Sequence, residues 1–375
     1  MLTATAALVR KDLVQSARNP GFFIIGIMLP VFFTLLYSFI VQAATTNPIY
    51  IAKESQGPAA ERLVRIMEQQ SSADGEAWRV ITTDPQRAER AFDSGEAMGI
   101  VRIPETFEQD VRAGEATVGL GVYNINSDIS KNLRLRLTNA MMSFQGEVDP
   151  QHQVDVRESP HWKEEMGFAG YMGASLLMFA LIYGGMVNTG NLIAREWEEG
   201  TAKNVVLSPK GFWPLVFGKW MATLLQSVVT IVLVLITLQF ALPYPVGQLG
   251  PGTWLPIVVL FFYGAALGAL LGVLLRRSLP LVPIAAVVSL VHFLLVGLES
   301  YMRGYAHFGF VEWLWYSVRW WPVGPVTDQI RFNAEGISPV YSMDHYMLWM
   351  VGIVLVLTVG AVAVLRRKLT FAQGQ

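Results

Sequence analysis

The sequence predicts an α-helical polytopic membrane protein with six transmembrane helices and an α/β extracytoplasmic domain inserted between helices 1 and 2. Of its 375 residues, 53% are hydrophobic and 15% are charged, which is too apolar for a soluble protein of this length. Six apolar runs are long enough to cross a bilayer, which takes about 20 helical residues. Charge is also divided unevenly, because residues 44–165 carry a net charge of −7 and the remainder carries +6.

Residues 1–20 are predicted to form a cytoplasmic amphipathic helix that lies on the membrane surface. Its apolar positions recur at helical spacing, and Arg10, Lys11 and Arg18 supply charge for the lipid headgroups. The apolar stripe consists of Leu2, Ala6, Val9, Leu13 and Ala17. The alternative is an ordinary basic flank before the first span.

The first span is predicted at 21–43, and its alternative is a signal peptide cleaved after Ala43. The apolar run is longer than the roughly 7–15 residues usual for a signal core, and more spans follow, so a retained helix is favoured. Residues 44–165 then alternate short β-rich runs with helical ones, which indicates a small α/β domain. Further spans are predicted at 166–194, 213–242, 253–275 and 279–299, and the sixth lies in 346–375, ahead of a cytoplasmic tail.

Lys and Arg near the span ends orient the chain. With the N terminus inside, the short inner segments collect most of these residues, whereas the turn at 242–252 has none. Both termini are therefore expected in the cytoplasm and the α/β domain outside. The outer loop 300–345 contains an aromatic segment from Phe308 to Trp321, which is predicted to be an interfacial helix ended by Pro322 and Pro325. That helix either gates an exit path or anchors the chain among the headgroups.

A charged segment at 195–212 separates two spans and begins with the sequence REWEEGT, here called the REWEEGT motif. Because a polar loop between two membrane helices can be gripped from the water side, we interpret it as a docking surface for an energy-supplying subunit. The candidate coupling residues are Arg195, Glu196, Trp197, Glu198, Glu199, Gly200 and Thr201. The alternative is a solvated loop held by an Arg195–Glu199 pair, which would contribute only about 0.3–0.5 kcal/mol.

The sequence contains no catalytic or metal-binding motif. The absence of cysteine excludes disulfides and thiolate metal sites. The Gly218-Lys219 pair lacks the other residues of a Walker A loop, and no HExxH or serine-hydrolase sequence is found. The chain is therefore predicted not to be an enzyme, and no nucleic-acid partner is predicted. Any vectorial work needs a partner or an ion gradient.

Three polar residues within the predicted spans are candidates for lining a path: Asn188, His292 and Glu299. Ionisable groups are costly to bury in a membrane and are functional candidates by default. Asn, however, is as often a helix–helix hydrogen bonder as a substrate contact. One His and one marginal Glu do not make the relay that an ion-driven carrier needs.

The motif and its neighbours resemble a known family. The run from Arg195 to Thr201, followed by Leu207-Ser208-Pro209 and Gly218-Lys219, is similar to the coupling segment of a bacterial exporter subunit. That subunit is the ABC-2-type (type V) membrane subunit of ABC exporters, in the subgroup with a large extracytoplasmic insert. Lys11-Asp12-Leu13 and the run from Gly99 to Pro104 add to the resemblance, which covers the whole chain in order.

The resemblance implies a transporter of two membrane subunits, as a homodimer or a heterodimer, and two ATPase subunits encoded elsewhere. ATP and Mg would be bound by the partner ATPase, and this chain would hold no cofactor. The resemblance also implies membrane lipids, a periplasmic adaptor protein and a place in the bacterial cytoplasmic (inner) membrane. The competing hypothesis is a membrane sensor or scaffold whose outer domain binds a ligand or partner. Six spans and short inner loops favour the exporter.

Overall fold

The computed structural model describes residues 2–18, 20–45, 47–72, 75–123, 128–149, 166–201, 213–298, 309–338 and 344–370. The chain divides into two compact units. The helical unit contains Met1–Ser38 and Glu164–Gln375, and the α/β unit contains Phe39–Lys163.

Elements are numbered in chain order. The helical unit contains α1 (Leu2–Arg18), α2 (Gly21–Thr45, which continues past Ser38), α7 (Phe168–Glu198), α8 (Trp213–Ala241), α9 (Pro251–Leu275), α10 (Leu281–His292), α11 (Gly309–Arg319), α12 (Val323–Glu335) and α13 (Asp344–Thr370). A π-helical turn, Phe293–Gly297, continues α10, and a short 3₁₀ turn, Val246–Gln248, lies between α8 and α9.

The α/β unit is built on a four-stranded sheet with the strand order β4-β1-β5-β6. The strands are β1 (Asn47–Lys53), β4 (Trp78–Thr82), β5 (Gly99–Ile103) and β6 (Gly119–Val122). β1 pairs in parallel with β4 and β5, and β6 pairs antiparallel with β5. The remaining elements are the hairpin of β2 (Ser71–Ser72) and β3 (Gly75–Glu76) and the helices α3 (Pro58–Gln69), α4 (Pro85–Asp93), α5 (Phe107–Ala113) and α6 (Asp128–Val148).

Helices cover both faces of this sheet, and the central strand β1 is accordingly buried and hydrophobic from Ile49 to Ala52. Successive side chains of a strand point to opposite faces. Ile49 and Ile51 accordingly pack with α3, α5 and α6, whereas Tyr50 and Ala52 pack with α4. A strand buried on both faces is typical of parallel pairing.

Five of the described helices are long and apolar enough to cross a membrane: Gly21–Ile40, Phe168–Glu198, Val216–Ala241, Pro251–Leu275 and His345–Arg367. The chain is therefore a multi-pass membrane protein. The predicted span at 279–299 corresponds to a shorter apolar helix, Leu281–Gly297, which consists of α10 and the π-helical turn. Six complete spans thus stay a prediction.

α7 is the central helix of the helical unit and is buried along most of its length. It packs most extensively against α9. Glycines recur every fourth residue on the contact face of α9, at Gly264, Gly268 and Gly272. A Cβ added to Gly264 would stand 2.5 Å from the carbonyl oxygen of Ile182, so the two backbones are in direct contact. Close approach over small residues is a common mode of helix packing in membranes.

The prediction of an outer loop with one interfacial helix at 300–345 is incomplete. The aromatic helix α11 has no buried residue, but a second helix, α12, follows it and is buried against α7 and α9. Pro325 does not end a helix, because it lies in the first turn of α12, where backbone N–H groups have no helical partner.

α12 runs antiparallel to α9. Asn333 lies against Gly252 at the start of α9, whereas Trp321, just before α12, lies close to Tyr263. Tyr263 is about 18 Å along α9, at 1.5 Å per residue. α12, but not α11, therefore lies in the core of the helical unit. Arg331 of α12 is 3% exposed there and donates to the Ser175 hydroxyl at 2.6 Å and the Gly297 carbonyl at 2.8 Å.

α1 packs along the beginning of α8 through a face different from the predicted apolar stripe. Its buried residues are Asp12 and Ser16, one helical turn apart, and the Ser16 hydroxyl accepts a hydrogen bond from Gln226 at 2.8 Å. On the stripe, Ala6 and Ala17 are exposed and Val9 and Leu13 are half-buried. The stripe is thus left available to lipid, while the position of α1 on a membrane surface stays a prediction.

Candidate functional site

The REWEEGT motif forms the C-terminal end of α7. The last helical residue is Glu198, and the N–H of Glu199 donates to the carbonyl of Arg195 at 2.9 Å. Gly200 follows with a φ of +69°. Helices often end in this way, because glycine adopts left-handed backbone angles without the steric cost of a Cβ.

Glu196 lies in a buried ion cluster that joins α7 to α1 and α8. Its Oε1 atom is 2.7 Å from Nζ of Lys11 and 2.6 Å from Nζ of Lys219. Lys219 also contacts Oδ1 of Asp12 at 2.8 Å, and the Thr201 hydroxyl donates to Oε2 of Glu196. Lys219 and Asp12 are each 1% exposed, and Glu196 is 5% exposed.

The four charges of the cluster balance as two ammonium groups and two carboxylates. Charges taken out of water are tolerated only when close partners compensate for the lost hydration. The compensation of Asp12 is incomplete, because its Oδ2 atom has no hydrogen-bond partner within the described ranges. Burial raises the pKa of the Asp12 carboxyl, although the ammonium of Lys219 opposes this shift. Loss of one member should therefore leave an uncompensated buried charge.

Trp197 and Glu198 contact the turn at 276–280, between α9 and α10. Oε1 of Glu198 accepts from the backbone N–H of Ser278 at 2.7 Å, and Oε2 accepts from its hydroxyl at 3.0 Å. The guanidinium of Arg276 lies 4.8 Å from the centre of the Trp197 ring. Trp197 also packs beside Val273 and Leu365, so the motif is linked to α9 and α13 as well.

Glu198, Glu199 and Gly200 are the exposed residues of the motif, and Arg195 beside them is 15% exposed. The Arg195–Glu199 pair of the alternative interpretation does form, with Nη2 and Oε1 3.5 Å apart, and Glu199 also accepts from Gln15. The Glu199 side chain is 37% exposed, and Gly200 is exposed. The three glutamates therefore differ in environment: Glu196 is buried, whereas Glu198 and Glu199 are exposed, with both carboxylate oxygens of Glu198 bound to Ser278. Residues 202–212 of the charged segment lie outside the described residues.

The two candidate path residues that the structure describes, Asn188 and His292, have different partners. The side-chain amide of Asn188 donates to the hydroxyl of Ser227 at 3.1 Å and lies against Gly26, as a helix–helix hydrogen bonder does. Nδ1 of His292 is 2.8 Å from the carbonyl of Val288, and Nε2 is 2.9 Å from the hydroxyl of Tyr263. A neutral imidazole that donates through Nδ1 and accepts through Nε2 satisfies both contacts. Glu299 lies outside the described residues.

Asp12, Lys219 and Ser278 were not among the predicted coupling residues. The sequence does contain one indication for Lys219 and one for Asp12. Lys219 is a single charge at the start of a long uncharged run, and Asp12 and Ser16 are polar residues one turn apart in a helix with an apolar stripe. Ser278 offers no comparable signal, because its contact with Glu198 spans 80 residues of sequence.

A family model described as ABC-2 family transporter protein matches residues 20–363. The chain belongs to this family. Among curated proteins, the probable multidrug ABC transporter permease YbhR of Escherichia coli K12 is 24% identical over 245 residues. The same match is found to YbhR of Escherichia coli O157:H7. The aligned region is 63% of this chain and spans 66% of the length of these relatives. No solved structure matches the chain. The family and the apolar helices together make this chain an ABC-2 transporter permease of the multi-pass type.

Proposed function

We propose that this ABC-2 permease is the membrane-spanning subunit of an ATP-driven exporter and that a separate ABC ATPase docks on the REWEEGT motif. The observation that carries the proposal is the construction of the motif. Glu199 and Gly200 are accessible at the end of α7, while Glu196 is buried among Lys11, Lys219 and Asp12. A force applied at the accessible end would therefore reach α1 and α8 together.

The remaining parts of the proposal follow from the family and from the charge pattern. Two copies of the chain, or this chain and a paralogue, would form the translocation path, with ATP and Mg held by the ATPase. A periplasmic adaptor would complete the export route. Positive charge near the predicted inner ends supports cytoplasmic termini in the inner membrane, with six spans and an extracytoplasmic α/β unit. Asn188, His292 and Glu299 remain candidates for lining the path.

Charge reversal at Glu199 is the sharpest test of docking. Glu196→Lys is unsuitable, because it would place a third ammonium group beside Lys11 and Lys219 in a buried cluster and so disrupt folding. Glu199→Arg changes a partly exposed side chain, and the lost pair with Arg195 is worth only about 0.3–0.5 kcal/mol. The control is Glu115→Arg, at an exposed position of the α/β unit.

The tagged chain is purified from its native host in mild detergent, and bound Walker A proteins are identified and quantified by mass spectrometry. We expect an ABC ATPase with the wild type and with Glu115→Arg, and at least a tenfold loss with Glu199→Arg. A folded wild-type chain that retains no ATPase would contradict the proposal and favour the membrane sensor. If Glu199→Arg retained as much ATPase as the wild type, the REWEEGT motif would not be the docking surface.

A further inference from the structure

The turn at 276–280 has a backbone that depends on specific contacts. Arg276 has a φ of +55°, which is disfavoured for a residue with a Cβ, and its N–H donates to the carbonyl of Gly272 at 3.0 Å. Ser278 is 2% exposed, and its carbonyl accepts from the N–H of Leu281 at 3.2 Å. Ser278 therefore leads directly into the first residue of α10.

Glu198 holds this turn through two hydrogen bonds to a single residue. Both carboxylate oxygens are engaged, one by the N–H and one by the hydroxyl of Ser278. A carboxylate bound at two points fixes orientation as well as distance. The neighbouring Trp197–Arg276 contact closes the same junction from the other side of Ser278. The end of α7 and the start of α10 thus form one connected structure.

α10 leads away from this junction to the buried polar contacts of the helical unit. It carries His292, which contacts Tyr263, and it continues into the π-helical turn. The carbonyl of Gly297, at the end of that turn, accepts from the Ser175 hydroxyl at 2.9 Å and from Arg331. π-Helical turns are frequent at functional sites. A displacement of the α7 end would have a continuous path along α10 to these contacts.

We propose that Glu198 is a positioning residue that transmits movement of the REWEEGT motif to the turn at 276–280 and so to α10. This inference rests on the proposed function, since an ATPase must supply the movement. It assigns different roles to two exposed neighbouring glutamates, with Glu199 at the docking surface and Glu198 bound to Ser278 of the same chain. The route through Glu198 is separate from the one that Glu196 makes to α1 and α8.

The chemistry of glutamine separates positioning from docking. A glutamine at position 198 keeps an acceptor for the Ser278 N–H, and its amide can donate to the Ser278 hydroxyl. Glu198→Gln should therefore preserve the junction although the charge is lost. Glu198→Ala removes both hydrogen bonds, and Ser278→Ala removes one of the two. If Glu198 instead met a basic residue of the ATPase, Gln would be as damaging as Ala.

The experiment uses the full chain with its bound ATPase in lipid nanodiscs. Because the chain has no cysteine, Leu279→Cys provides a single labelling site beside Ser278, at a residue that is 80% exposed. A nitroxide at this site is recorded without nucleotide and with ATP and vanadate. We expect a nucleotide-dependent spectral change in the wild type and in Glu198→Gln. In Glu198→Ala the change, normalised to the amount of bound ATPase, should fall at least threefold, and Ser278→Ala should be intermediate.

Several results would overturn the inference. The first is the absence of a nucleotide-dependent spectral change in the wild type. The second is a spectral change in Glu198→Ala as large as in the wild type. The third is a spectral change reduced as much in Glu198→Gln as in Glu198→Ala. If Glu198→Ala does not fold, the comparison of Ser278→Ala with Glu198→Gln decides in the same way. Failure of the wild-type chain to hold any ATPase would instead refute the proposed function.

Discussion

Replacing Lys219 by methionine tests the ion cluster most directly. Methionine keeps much of the side-chain volume but removes the ammonium group that lies 2.6 Å from Glu196 and 2.8 Å from Asp12. Glu196 retains Lys11, but Asp12 loses the hydrogen-bond donor that the described residues provide for its carboxylate. Removing one partner of a buried ion pair typically costs about 3–5 kcal/mol, because the other charge is left uncompensated.

The measurement is the apparent melting temperature of the detergent-solubilised chain, followed by intrinsic fluorescence. At about 2 °C for each kcal/mol in a unit of this size, the expected fall is about 6–10 °C. Arg10→Met is the control, because Arg10 is an exposed cation on α1, the helix that carries Asp12, and such changes usually stay within about 0.5 kcal/mol.

The double variant Lys219→Met with Asp12→Asn removes the uncompensated charge and should recover most of the lost stability. A fall of less than about 2 °C in Lys219→Met would refute the reasoning, as that corresponds to roughly the 0–1 kcal/mol of a solvent-exposed pair. So would a double variant no more stable than Lys219→Met.

Three further predictions concern pH, helix packing and the buried helix α12. The pKa of Asp12 is raised in the folded state above its ordinary value of 3.8, so the folded state binds this proton more readily than the unfolded state. Stability should therefore fall as pH rises through the pKa of the folded state. Between about pH 5 and pH 8, the melting temperature should fall further in Lys219→Met than in the wild type. Gly268→Ala would force α9 away from Met186 and lower the stability measured by thermal unfolding by about 1–3 kcal/mol. Gly352→Ala is the control, because no atom lies within 4 Å of the new Cβ, and it should be neutral or stabilising. Equal effects of the two variants would contradict the packing argument. Arg331→Met removes the buried donor that Gly297 and Ser175 accept from, and it should lower stability by about 1–3 kcal/mol. Amide hydrogen exchange in α12 should become faster. Unchanged exchange would contradict the idea that Arg331 holds this helix in place.

Hydropathy and alternation were sufficient to place most elements. The strands β1, β4, β5 and β6 begin and end within a residue or two of the β-rich runs of the sequence. A strand between two layers of helices needs an apolar sequence, and turn residues on each side mark its ends. The long apolar helices are equally local signals, since each must satisfy its backbone hydrogen bonds within itself. The predicted orientation in the membrane rests on charge near the span ends and uses no tertiary contact.

The second helix of the outer segment could not be recognised in this way. α12 contains Asp328, Arg331 and Glu335 and reads as a polar loop beside the aromatic run. It is buried because Arg331 finds acceptors on α7 and on the π-helical turn, which are more than 30 residues away in sequence. A polar sequence is compatible with burial only when such partners exist, and their positions are not encoded locally.

The sequence by itself determined that this is a multi-pass ABC-2 membrane protein with an α/β unit after its first apolar helix, because apolar length, alternation and the REWEEGT motif are local patterns. Only the tertiary structure decided what each glutamate of that motif contacts. Three glutamates within four residues have the same chemistry, and their environments differ because Glu196 meets Lys219, Glu198 meets Ser278 and Glu199 meets Gln15. Those partners lie at least 20 residues away, so burial and hydrogen bonding emerge only when the helices pack.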